Sequence, residues 1–279
     1  MRNENFALIS GASEGLGKAL ALECAARNMN LLLVALPGSG LCSLACFIER
    51  NYDVRVLFFE HDLSKKEECI HLFEKIKQKQ FHINVLINNA GMGGIHLFEE
   101  RDIEYYYKQI ELNVVAPTLF IHFFLETLEQ NSPSHILNVG SLSSFFSLPK
   151  KVVYNGTKSY IVSFSKSLRR ELKTKNVFVS TVCPGGMNTT PTLILQNNNM
   201  KGVARLSVMN PDEVAKIAID GMLTKKEVII PGFWNKLFML FDRLLPKWFK
   251  EILIERSMKN ARAFKNPVTH SIYPLKKAI

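Results

Sequence analysis

Tyr154 and Lys158 stand four residues apart in Tyr154-Asn155-Gly156-Thr157-Lys158, and Ser141 lies thirteen residues before the tyrosine. These residue types suit acid–base work on an oxygen. A phenol can give a proton to a developing alkoxide or take one from an alcohol. Free tyrosine titrates near ~10, too high for a good base at neutral pH, and a neighbouring cation favours the phenolate. A lysine one helical turn on shares the tyrosine's face and can supply that cation. A serine hydroxyl can hydrogen-bond the reacting oxygen and stabilise its charge. Each residue also has an ordinary explanation: a serine ending a strand, a tyrosine and a lysine on a helix surface. Taken singly, those explanations win.

A second constellation opens the chain. Gly11-Ala12-Ser13-Glu14-Gly15-Leu16-Gly17 follows the apolar run Phe6-Ala7-Leu8-Ile9-Ser10 and precedes a helical pattern. Glycines there allow a tight turn and a close approach of backbone to a pyrophosphate resting on the helix N-terminus. The spacing is G-x-x-x-G-x-G, not the common G-x-G-x-x-G. By itself it is equally a tight connection between a strand and a helix.

The elements that must hold these residues alternate. Strands at 6–10, 31–34, 54–59, 84–87, 135–139 and 177–182 are separated by helices at 16–27, 41–50, 65–79, 103–129 and 152–173. The strands are continuous apolar runs, the pattern of a parallel sheet covered on both faces. The expected fold is α/β: a Rossmann-type doubly wound sandwich of about seven parallel strands. Ligands bind such sheets beyond the carboxyl ends of the strands, where every motif above falls. After Pro184 the pattern loosens. Residues 188–199 form a loop with a short helix, Asn210-Pro211-Asp212-Glu213 starts another helix with Asn210 as its cap, and 227–230 is a last strand. No linker divides the chain. It is taken as one domain, with 1–185 binding cofactor and performing catalysis, and 186–279 forming the substrate loop, last strand and amphipathic C-terminal extension.

The motifs together resemble those of the classical short-chain dehydrogenase/reductase family. The resemblance rests on Ser10–Gly17, Asn88-Asn89-Ala90-Gly91, Asn113, Ser141, Tyr154-x-x-x-Lys158 and Pro184-Gly185, in family order and spacing over residues 6 to about 190. It implies reversible hydride transfer between nicotinamide C4 and a carbonyl or alcohol carbon. Tyr154 would be the general acid in reduction, and Ser141 would bind the substrate oxygen. Lys158 would support the tyrosine and bind the nicotinamide ribose. Asn113 would hold a water that links the lysine to solvent. Cofactor contacts would come from Gly11, Ser13, Glu14, Gly15, Leu16, Gly17, Ala35, Asp62, Leu63, Asn89, Ala90, Gly91, Tyr154, Lys158, Pro184, Gly185 and Thr189. Asp62 would meet the adenine; its ordinary role is a helix cap. A homodimer or homotetramer built on helices 103–129 and 152–173 is also implied.

Cofactor choice is weakly written. The acid that usually binds the ribose hydroxyls of NAD(H) is absent, because Ala35 stands at its position. The arginine often used for NADP(H) is absent too, with Leu36 in its place. Ser13 and Ser39 could bond a 2′-phosphate. NADP(H) is therefore favoured and NAD(H) is the alternative.

Composition narrows the rest. The chain has 279 residues, 47% of them hydrophobic, and a formal charge of +10. The basic residues are spread out, and no zinc-finger, RNP or helix-turn-helix spacing appears, so nucleic acid is not an expected partner. Five scattered cysteines suit reduced cytoplasmic thiols. Seven histidines form no ligand set, and no metal is expected. No signal peptide is seen, and no run approaches the roughly 18 uninterrupted apolar residues of a spanning helix. A cytoplasmic protein is expected, with membrane association as an added reading. Residues 233–249 hold both tryptophans and mix aromatic with basic residues. They are a helix on the core or a partner subunit, a wall of an apolar substrate pocket, or an interfacial segment at 233–254 on an acidic membrane. The expected activity is NADPH-dependent reduction of a ketone, lipid-like or 3-oxoacyl in kind. The alternatives are an NAD-dependent alcohol or hydroxysteroid-type dehydrogenase and a nucleotide-bound regulatory protein without catalysis.

Overall fold

The structure, a computed structural model, describes residues 5–198 and 203–244. Strands β1 (Asn5–Ser10), β2 (Asn30–Ala35), β3 (Val56–Glu60), β4 (His82–Asn88), β5 (Ser134–Val139), β6 (Val177–Val182) and β7 (Val228–Ile229) form one parallel sheet in the order β3-β2-β1-β4-β5-β6-β7. The expected seven-stranded doubly wound sheet is therefore present. β2 is buried at all six positions, which explains its unbroken apolar run.

Two cores flank the sheet. On one face α1 (Gly15–Ala25), α2 (Leu41–Asn51) and α9 (Pro211–Leu223) bring Leu20, Leu41, Ile48 and Ile219 against Ile9, Leu31 and Leu33. On the other, α3 (Lys66–Gln78), α5 (Ala116–Gln130) and α6 (Val152–Glu171) bring Leu72, Ile76, Phe120 and Phe124 against Leu8, Leu32 and Leu86. Strand order reverses between β1 and β4. A crevice opens at their carboxyl ends, because successive crossovers leave in opposite directions there.

The long helix expected at 103–129 is continuous but not uniform. It runs as α4 (Ile103–Ile110), a π turn at Glu111–Val115, and α5. Pro117 has no N–H to give the carbonyl of Asn113 four residues back, so the regular ladder fails there. The whole stretch Ile103–Gln130 is long and apolar enough to cross a membrane by length and composition. A search for unbroken apolar runs passes over it because charged residues interrupt it. Phe120, Ile121, Phe124 and Leu128 pack it into the core instead.

Other boundaries move for local reasons. Asp62 does not cap α3; its carboxylate accepts from the Ser64 N–H (3.1 Å) and hydroxyl (2.6 Å) in a turn, and Lys65 precedes the helix. Asn210 does sit before α9, but its side chain accepts from Asn188 Nδ2 (3.0 Å) and not from the helix. The last strand pairs over Val228–Ile229 only. Beyond β6 lie α7 (Pro191–Asn198), α8 (Val203–Leu206) and α10 (Phe233–Leu244). The chain divides into two compact units, Met1–Met239 and Leu240–Ile279. Most of the second, including residues 245–254 of the expected interfacial segment, lies outside the described residues.

Candidate active site

A cavity of about 580 Å³ opens at the crevice. Every residue expected to touch a cofactor lines it: Gly11, Ser13 to Gly17, Ala35, Asp62, Leu63, Asn89 to Gly91, Tyr154, Lys158, Pro184, Gly185 and Thr189. Ser141 lines it as well. Asn113 does not, and stands one layer behind.

The glycine turn is held from the neighbouring strand. The Ser10 hydroxyl accepts from the N–H groups of Asn89 (3.0 Å) and Ala90 (3.1 Å). Asn89 Nδ2 donates to the carbonyls of Ser10 (3.0 Å) and Gly11 (2.9 Å). Gly11 takes φ +65°, a conformation that favours glycine. Beneath, Asn88 Nδ2 donates to Asn138 Oδ1 (2.8 Å) and Asn138 Nδ2 to Ser165 Oγ (2.8 Å), a buried polar chain tying β4, β5 and α6 together.

Tyr154 and Lys158 occupy the first turns of α6, facing inward. The Ser141 hydroxyl is hydrogen-bonded to Tyr154 and accepts from the Ser143 N–H (3.2 Å). Burial pushes the Tyr154 phenol up; the Ser141 bond opposes this, and the Cys183 thiol adds to it. Lys158 Nζ donates to the Val139 carbonyl (2.8 Å), and burial pushes its pKa down to about 8. Its discharge therefore falls closer to neutral pH than that of an ordinary lysine. A Cβ added to Gly91 would stand 3.4 Å from Lys158 Nζ, so the strand end closes directly on the lysine.

Asn113 is 1% exposed. Its amide accepts from the Met92 N–H (2.8 Å) and donates to the Met92 carbonyl (2.9 Å) and to Thr157 Oγ1 (3.1 Å). Both of its protons are spent, so its side chain locks the 91–93 segment to α6.

Several neighbours escaped the sequence reading. Lys151 stands just before α6, half-buried, with its Nζ 5.8 Å from the centroid of the Tyr154 ring; Lys158 Nζ is 6.0 Å from it. Burial lowers the Lys151 pKa. Lys150 holds φ +64° and accepts at its carbonyl from His96 N–H (3.0 Å), a turn that directs Lys151 inward. The only sequence signal was a pair of lysines, which reads as solvated. His61, 7% exposed, also lines the cavity and bonds Glu68 at 2.6 Å. Asn235 on α10 is 1% exposed and rests against Gly185, where an added Cβ would stand 2.6 Å from its Oδ1.

The polar residues fit a dinucleotide. Gly11, Gly15 and Gly17 carry no side chain into the turn, and Ser39 Oγ, beyond Ala35 on the cavity wall, is buried without a partner. The family model for short chain dehydrogenases matches residues 5–200. The chain belongs to this family. It is therefore an oxidoreductase. This short-chain dehydrogenase is 28% identical over 216 residues to an uncharacterised oxidoreductase of Staphylococcus saprophyticus, covering 77% of this chain and 90% of the relative. It is 28% identical over 255 residues to mouse estradiol 17-beta-dehydrogenase 11, covering 89% and 82%. Its fold matches a short-chain dehydrogenase from Sphingobium yanoikuyae in complex with NADPH, with a TM-score of 0.72 at 24% identity over 96% of this chain and 98% of that one.

The lysine carries a stability prediction. In the unfolded chain a lysine keeps its proton to about pH 10.5, and Lys158 loses it near 8 when folded. The usual direction for a lysine is reversed, since the unfolded chain binds this proton more tightly. Lys158 therefore destabilises the folded apoprotein below pH 8, and the penalty fades as pH rises to 10.5. The difference between the two values amounts to a limit on the order of 3 kcal/mol. Tyr154 and Cys183, raised by burial, act oppositely as pH passes their ordinary values of 10.0 and 9.0. The difference between wild type and Lys158→Met isolates the lysine. In urea denaturation, wild type should gain on the variant between pH 7 and pH 10; parallel curves refute the assignment.

Proposed function

We propose that the chain reduces a ketone with NADPH, Tyr154 giving the proton. The observation that carries this reading is the convergence of Ser141, Tyr154 and Lys158 on the same cavity wall as the glycine turn. The nicotinamide, when bound, supplies the hydride. Ser141 holds the substrate oxygen and orients it to the Tyr154 hydroxyl. Tyr154 gives its proton to the forming alkoxide and draws a replacement through Lys158. Asn113, whose side chain is spent on Met92 and Thr157, would hold through its backbone the water that returns the proton from solvent. The pyrophosphate would sit on the N-terminus of α1, and Pro184, Gly185 and Thr189 would hold the nicotinamide amide.

NADPH is favoured because nothing acidic stands at Ala35 and the unpartnered Ser39 hydroxyl suits a 2′-phosphate. Ala35→Asp should turn the preference toward NADH by tenfold or more in kcat/KM, because an acid there binds ribose hydroxyls and repels a phosphate. An unchanged ratio would show that this strand end does not select the cofactor.

The substrate is proposed to be lipid-like, in keeping with the apolar Met92, Leu112, Met187 and Leu193 on the cavity wall. The mouse relative's name points the same way, to a steroid. A panel of ketones of graded chain length, tested with each cofactor at the reduced nicotinamide absorbance band, tests this. kcat/KM rising with chain length supports it, and a preference for short polar ketones overturns it. A homodimer through α4–α5 and α6 is also proposed; Ile103, Tyr107, Val152 and Tyr160 are exposed large side chains on those helices. The working compartment is proposed to be the cytoplasm.

A further inference from the structure

The substrate side of the cavity has an apolar rim. On α7, Leu193, Ile194 and Leu195 are exposed, Leu195 by 67%. Leu206 is exposed at the end of α8, and Phe233 (71%) and Trp234 (40%) at the start of α10. Single exposed apolar residues are ordinary; six large ones on three neighbouring segments are not.

These segments are stapled to one another. Asn235 Nδ2 donates to the carbonyls of Ser207 (3.2 Å) and Pro231 (2.8 Å), joining α10 to the stretch after α8. Asn197 Nδ2 donates to the Met187 carbonyl (3.1 Å), and Met187 pairs with Met209. Leu193 also lines the cavity. The apolar rim is thus continuous with the mouth of the pocket.

Charge says what covers it. From Gly185 to Asn210, and again from Val228 to Phe241, the sequence has no aspartate or glutamate. Its ionic residues there are Lys201, Arg205 and Lys236, and Arg205 and Lys236 are exposed. Elsewhere acids are frequent, 25 in all. Exposed apolar side chains on stretches whose exposed ionic groups are the cations Arg205 and Lys236, with aromatics at the edge, match an anionic bilayer surface. A partner without anionic charge would give no reason for the missing acids.

We propose that this rim, formed by α7, Leu206 and the first turn of α10, rests on an anionic lipid bilayer, with the mouth of the pocket facing the membrane. A lipid-like ketone then enters from the bilayer without crossing water. That statement about the substrate rests on the reductase reading; the docking does not.

The test uses the full chain with NADPH and two kinds of vesicle, phosphatidylcholine alone and phosphatidylcholine mixed with phosphatidylserine. Trp248→Phe leaves Trp234 as the sole tryptophan and reporter. Co-flotation with the anionic vesicles and a blue shift of Trp234 emission are expected, both weakened by salt. The combined variant Ile194→Gln, Leu195→Gln, Phe233→Gln should weaken binding roughly tenfold or more, since three apolar anchors are lost. Unchanged NADPH binding and Tm would show the variant folded. The proposal is overturned by failure to float, by equal binding to both vesicles, or by a variant that floats like wild type. It is also overturned if wild type ignores vesicles and the variant converts an oligomer to monomers, since the rim then meets a second copy. Flotation needs no turnover. A chain that floats but reduces no ketone sinks the reductase reading alone, and a reductase that does not float sinks the docking alone.

Discussion

Tyr154→Phe should lower kcat/KM for ketone reduction roughly 10²–10⁴-fold, the range for removing a positioned general acid. NADPH affinity should stay within about twofold. The ring remains, so packing is kept, and only the hydroxyl bonded to Ser141 is lost. Ser141→Ala should act on the same step, because it removes the group that orients the phenol and the substrate oxygen. The two losses should therefore be less than additive in the double variant, as for residues acting as a unit. Kinetics with each variant and fluorescence titration of NADPH make the comparison. If Tyr154→Phe keeps more than a tenth of the wild-type rate, the proton comes from elsewhere. Lys151 would then be the next group to test, being the other cation on that ring.

The sequence carried the sheet because its strands are buried on both faces. Leu31-Leu32-Leu33-Val34 has no polar position to confuse the reading, and the structure buries all four. It carried the cavity-lining residues because they fall at a strand's carboxyl end or in the segment and helix that follow it, where topology brings them together. What it missed depends on contacts between distant segments. Nothing near Asn113 in sequence says that its amide will be spent on Met92 and Thr157. The π turn was in principle legible from Pro117, but helical periodicity continues through it and hides the break. Lys151 was concealed by Lys150, since two adjacent lysines look like a solvated corner until the positive φ of Lys150 is known. Asn235 lay inside a segment read for its aromatics, and its role follows from Gly185, 50 residues earlier. Side-chain polarity betrayed none of these three; burial did.

Gly17 yields the largest expected effect on folding and cofactor binding together. A Cβ at this position would stand 1.9 Å from the Gly11 carbonyl oxygen and 2.5 Å from Asn89 Nδ2. The first obstacle is backbone and cannot rotate away. The second is the amide that latches the turn, donating to that same Gly11 carbonyl at 2.9 Å. Gly17→Ala must therefore push α1 off the turn or break the latch from β4. Overpacking a core costs about 1–3 kcal/mol where side chains can adjust; here they cannot, so the upper end or beyond is expected. NADPH affinity should fall roughly 100-fold or more, because the same displacement misaims the N–H groups that would face the pyrophosphate. Gly156→Ala is the control. It lies in helix α6, where an added Cβ meets nothing within 4 Å, and alanine there should stabilise by about 0.5–1 kcal/mol. Urea denaturation and NADPH titration of the two variants separate the readings. If both alanines behave alike, Gly17 is ordinary helix, and the close approach of α1 to the turn does not constrain the site.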